Sequence, residues 1–76
     1  MASSGEITII EQIATINQHG NKSLELNIVS YGDTRNKYDL RLWKTDEYGN
    51  HLPAAGISMS VWDMRNLKMQ LEQMDI

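Results

Sequence analysis

There is no cysteine in this chain of 76 residues, which excludes disulfides, thiolate zinc sites and iron–sulfur clusters. Histidine is almost as scarce: His19 and His51 cannot complete a structural zinc site without an improbable set of carboxylates, so no metal or cofactor is expected. No apolar run reaches the roughly 18 residues of a membrane span. The opening residues Met1-Ala2-Ser3-Ser4-Gly5 have neither the basic nor the apolar stretch of a signal peptide. Residues 1–5 are expected to be a flexible start and residues 6–76 one domain. A chain of this size buries only about 60% of the surface its unfolded form exposes, and such chains usually need a staple. With disulfide and metal gone, a second copy of the chain is the expected one. The lack of cysteine also suits a reducing cytoplasm.

The formal net charge is −3, but it is unevenly spread. Between positions 22 and 44, Lys22, Arg35, Lys37, Arg41 and Lys44 oppose Glu25, Asp33 and Asp39, a local net of +2. Elsewhere Arg65 and Lys68 face seven acids. A basic middle in an acidic chain is a weak electrostatic footprint for nucleic acid, because binding depends on the local field and not on the total. Charge alone favours the plainer reading, a solvated strand surface.

Residues Glu6 to Asn17 are rich in Ile and Thr, which suits a pleated strand. Its alternation is imperfect, with Ile7, Ile9 and Ile13 assigned to one face and Ile10 and Ile16 to the other; either both faces are covered or the strand carries a bulge. Gln18-His19-Gly20-Asn21 reads as a turn. From Lys22 to Tyr31 the alternation is clean, with Leu24, Leu26 and Ile28 on one side and Glu25, Asn27, Val29 and Tyr31 on the other. Gly32 to Asn36 is turn chemistry. Lys37 to Lys44 alternates again, setting Tyr38, Leu40 and Leu42 against Asp39, Arg41 and Trp43. The only proline, Pro53, places Asp46 to Ala55 in a loop, and Gly56 to Met59 forms a short fourth strand. Ser60 is a good N-cap with Asp63 three residues on, and Val61, Met64, Leu67, Leu71 and Met74 fall at helical spacing. The expected class is α+β: a four-stranded antiparallel sheet followed by one C-terminal helix.

The two sheet faces differ. The leucine face can be covered by the one helix. The other face carries Tyr31, Arg41 and Trp43, with Arg35 and Lys37 near the turn, and that is the parts list of a single-strand platform: rings stack on unpaired bases while cations follow phosphates. The competing reading makes Trp43 and Tyr31 cross-strand packing partners or part of a dimer interface.

Lys37-Tyr38-Asp39-Leu40-Arg41-Leu42-Trp43, an acidic Gly-containing loop, then Gly56-Ile57-Ser58-Met59-Ser60 and a helix resemble the positive cofactor four family of single-stranded-DNA-binding transcriptional coactivators. The segment Leu24-Glu25-Leu26-Asn27-Ile28-Val29-Ser30-Tyr31 is similar to the second strand of the stand-alone bacterial branch, and the likeness extends over residues 7 to 75. It implies a strongly curved sheet, a homodimer whose helices help form the subunit interface, and a groove that takes single strands with little base preference. In a bacterium that means the cytoplasm or nucleoid. It matches Arg41 to a third-strand arginine, Trp43 to the neighbouring aromatic and Tyr31 to the aromatic closing the second strand, with Arg35 and Lys37 in the basic hairpin. Two departures weaken phosphate attraction: Ala54-Ala55 replace basic residues before the Gly-Ile-Ser element, and the basic serine-rich tail of eukaryotic members is missing.

The expected function is single-stranded DNA binding in support of transcription regulation, replication or repair. Trp43 and Tyr31 would stack bases, Arg41, Lys37 and Arg35 would hold phosphates, and Lys22 and Lys44 would steer from outside. RNA is not distinguished from DNA, because stacking is common to both. The alternative is a protein–protein adaptor or coactivator module using the helix methionines, with transcription or replication proteins as partners. An enzyme is not expected, since no nucleophile elbow, phosphate loop or metal-spaced histidine pair is present.

Overall fold

Four strands and one helix follow one another: β1 (Thr8–His19), β2 (Lys22–Ser30), β3 (Lys37–Thr45), β4 (His51–Met59) and α1 (Val61–Gln73). The computed structural model describes residues 7–32 and 35–76. The start expected to be flexible, and the Asp33-Thr34 part of the second turn, lie outside the described residues. The strands lie side by side in chain order, every neighbour antiparallel. This is the expected ββββα order.

Boundaries shift in instructive ways. The first turn contracts to Gly20-Asn21, with Gly20 at a φ of 62°, and His19 closes β1 instead of sitting in the turn. β4 begins at His51 and takes Pro53 and Ala54-Ala55 into the strand, which corrects the expected loop to Ala55. Proline is tolerated there because β4 is an edge of the sheet, where one row of N–H groups has no ladder partner. The shorter loop is organised by Asp46, whose carboxylate accepts from the backbone N–H of Tyr48 and Asn50 and from the Asn50 amide.

β1 departs furthest from simple alternation. Its pairing with β2 slips between Ile9 and Glu11, between Gln12 and Ala14, and between Thr15 and Asn17. The residues skipped are Ile10, Ile13 and Ile16, so β1 advances three residues for every two of β2 through three successive bulges. The earlier split of these isoleucines between two faces is therefore corrected: each bulge adds a residue and resets the count of two. Ile10, Ile13 and Ile16 occupy equivalent positions, and all three are exposed.

Bulges bend and twist a strand, and here they come with a tightly curled sheet. β2 and β4 flank β3, so in a flat sheet they stand about 10 Å apart. Yet Glu25 of β2 reaches His51 of β4 at 2.9 Å, and Tyr31, just past β2, meets Ser58 of β4. The face on which these side chains converge is the inside of the curl. It carries the odd-numbered residues of β2 and β3, and Glu25, Asn27, Val29, Asp39 and Trp43 are all buried there.

This reverses the weighting expected of the two faces. The leucine face, expected to be closed by the helix, is the open one, with Leu24, Leu26, Ile28 and Leu40 only half-buried and Leu42 exposed. The helix touches β3 and β4 but buries none of its own residues. Between α1 and the leucine face lies an open cleft of ≈ 780 Å³, lined among others by Ile13, Leu26, Ile28, Tyr38, Met64 and Leu71. The helix start is as expected: Ser60 is extended (φ −69°, ψ 168°), and its hydroxyl accepts from the Asp63 N–H at 3.1 Å, satisfying one of the free donors of the first turn.

Candidate nucleic-acid interface

The inner face is built around β3, whose alternation sends Asp39, Arg41 and Trp43 to the same side. Asp39 is fully buried, and a buried carboxylate is costly unless it is paired and hydrogen-bonded. Arg41 supplies the pair: Nε donates to Oδ2 at 2.9 Å and Nη2 to Oδ1 at 2.9 Å. The Ser58 hydroxyl donates to Oδ1 as well, at 2.7 Å. Arg41 Nη2 also reaches the Tyr31 hydroxyl at 3.2 Å, and Nη1 donates to the Ala54 carbonyl at 2.7 Å. Hydrogen bonding to Asp39 raises the guanidinium pKa against the opposing pull of burial.

Ala54 is within reach because the β3–β4 register slips between Arg41 and Trp43, leaving Ala54 and Ala55 opposite Leu42 alone. Directly opposite Arg41 stands Gly56. A Cβ on Gly56 would lie 2.4 Å from the Arg41 Cβ and 2.7 Å from the Leu40 carbonyl oxygen. Only glycine lets β4 approach β3 this closely.

A second polar cluster occupies the other end of the inner face. Glu25 accepts from Ser23, from the Asn27 amide at 3.1 Å and from His51 Nε2 at 2.9 Å. Burial pushes the Glu25 carboxyl up, but these hydrogen bonds and the nearby imidazole outweigh it and hold the group below its ordinary range. The His51 ring lies flat on Trp43, centroids 4.4 Å apart and planes at 16°. Trp43 is consequently only 3% exposed. Among the described residues, its indole N–H is the buried side-chain donor with no acceptor.

Of the residues singled out in the sequence, Tyr31, Arg41 and Trp43 therefore do share one face, and Tyr31 and Arg41 touch. They are not an open platform: Tyr31 is half-buried, the Arg41 side chain is 12% exposed, and Trp43 lies beneath His51. Arg35 and Lys37 are exposed at the hairpin end of this face. Lys22 and Lys44 stand opposite one another in register, but their even numbering sets them on the leucine side. There they border a hollow of ≈ 230 Å³ with Leu42, Trp43, Ala54 and Ala55. Two like charges directly opposed across strands repel, so this pair favours an anion nearby.

No family model, characterised protein or solved structure matches this chain. The arrangement must be argued from its own geometry. His51 and Ser58 were not singled out in the sequence. His51 lies in the part of β4 that the expected loop to Ala55 left out; Ser58 lies inside the expected strand, but only the register sets it opposite Asp39. Asp39 was already on the correct face by alternation, but nothing in the sequence marks it as the buried partner of Arg41.

Among the described residues there is no group of three or more His, Asp or Glu side chains able to hold a metal ion, and no helix is long and apolar enough to cross a membrane.

Proposed function

We propose that this protein binds single-stranded DNA with little sequence preference, through the inner face of a homodimeric curved sheet, in support of transcription, replication or repair. The observation that carries the reading is the grouping of Tyr31, Arg41, Trp43 and His51 inside one curl, with exposed Arg35 and Lys37 at its end. Stacked rings and a tyrosine inside a curved sheet suit splayed bases, and cations at the rim suit the phosphates. Arg41, whose three nitrogens all donate within the chain, serves chiefly to pair the buried Asp39, so phosphate attraction falls mainly on Arg35 and Lys37. The resemblance of residues 7 to 75 to the positive cofactor four family supports the single-strand reading, though not this division of roles, since it would give Arg41 a phosphate.

The dimer is supported by what one chain leaves uncovered. Its buried apolar side chains, among the described residues, are Val29, Trp43 and Met59, a small core for a chain of this length. The half-open leucine face and the apolar stripe of α1 offer continuous surface for a second copy.

Exposed Met69, Met74 and Trp62, the last with Arg65 over its ring at 5.2 Å, favour a second reading, a protein adaptor. Titration with fluorescent single-stranded and duplex oligonucleotides at two salt concentrations separates the two. Single-strand binding is expected to exceed duplex binding clearly and to weaken with salt. Equal affinity for both forms would reduce the interaction to charge attraction, and no binding to either would leave the adaptor.

A further inference from the structure

Within this single-strand reading, we infer that His51 is the ring on which an unpaired base stacks, with Trp43 as its support. A base needs an accessible flat face. Trp43 offers none, because it is 3% exposed and the imidazole covers it at 4.4 Å and 16°. The His51 side chain is 36% exposed, so one side of its ring rests on the indole while the ring remains open to solvent. A base arriving there continues the stack as its third member.

The ring is also held in place. His51 Nε2 donates to Glu25 at 2.9 Å, and Glu25 is anchored by Ser23 and Asn27. An edge fixed by a buried carboxylate and a face fixed by an indole leave the imidazole little freedom to lose on binding, and this lowers the entropic cost of association. The position fits as well. His51 opens β4 opposite Thr45 and projects onto the same inner face as Arg41 and Tyr31.

The rival is that His51 merely covers Trp43. The two roles separate with substitutions that keep the cover and change the ring. His51→Leu shields the indole without a π face; His51→Phe restores the face without the hydrogen bond. The probes are labelled oligothymidylate and an abasic strand of the same length, which carries the phosphates and no bases. Wild-type protein is expected to prefer oligothymidylate. His51→Leu is expected to lose about tenfold of that preference, the lower part of the range for one stacked base, while binding the abasic strand as before. His51→Phe is expected to keep the preference. If His51→Leu retains it, or if His51→Phe loses it while melting like the wild type, the role assigned to His51 is wrong though single-strand binding stands. A wild type that binds neither strand overturns the single-strand reading itself.

Discussion

The two faces of the sheet invert the usual division of labour between core and surface. The inner face is polar by composition and buried by geometry: Glu25, Asn27, Asp39 and Ser58 lie there in hydrogen-bonded clusters. The outer face is leucine-rich and open. Hydrophobicity alone does not decide which face is inside; curvature does, because a curl closes whichever side is concave. The inner face can carry polar groups because the clusters supply their partners, and the outer face offers the apolar surface that the proposed second copy would cover.

The sharpest way to break this contrast is to remove one member of the buried pair. Asp39→Ala leaves the Arg41 guanidinium without its counter-ion inside the curl and is expected to cost about 3–5 kcal/mol of stability, read from urea denaturation. A loss under 1 kcal/mol would mean that the inner face is held by something other than this pair. Gly56→Ala attacks the same region through the backbone. Its methyl group meets Arg41 and the Leu40 carbonyl, and the forced separation of β3 from β4 is expected to cost about 1–3 kcal/mol, with hydrogen exchange accelerated along β4.

The outer face should answer differently. Leu71, half exposed on α1, lines the cleft beside the leucines. Leu71→Ser is expected to lower self-association in sedimentation experiments while leaving the far-ultraviolet circular dichroism of the chain unchanged. If it unfolds the chain at every concentration, the outer face is part of the single-chain core after all.

The smallest effect is set by acid. Glu25 titrates below its ordinary value in the folded chain, so its contribution to stability is complete above the unfolded-state value and disappears as pH falls through the folded one. Stability should therefore decline across and below the ordinary carboxylate range. Glu25→Gln should flatten that decline in acid denaturation curves, and an unchanged slope would remove Glu25 from the account.

Much of this architecture was legible in the chain. Alternation in β2 and β3 is strict, so both strands and the membership of each face could be read directly, and Ser60 with the i, i+3, i+4 stripe marked the helix. β4 was shortened because Pro53 usually breaks a strand, and only its place at the sheet edge lets it stay in one. The burial of the two faces was reversed for a different reason. Residue parity says which side chains share a face but not which way the sheet bends, and the register slips in β1 and between β3 and β4 that accompany the bend appear in simple alternation only as an anomaly. His51 escaped notice on the same account, since its place on Trp43 exists only once β4 is extended and curled over.

The spacing of Ile10, Ile13 and Ile16 bears on how β1 tolerates a change of length. β1 has 12 residues where β2 has 9, like the longer rail on a bend, and the surplus is divided into three evenly spaced single-residue steps. The extra length of β1 is thus carried as a number of insertions and not as a set of side-chain identities. Deletion of any one of the three residues would remove one step while leaving the pairing beyond it in register, so the strand's surplus over β2 comes in separable single-residue units.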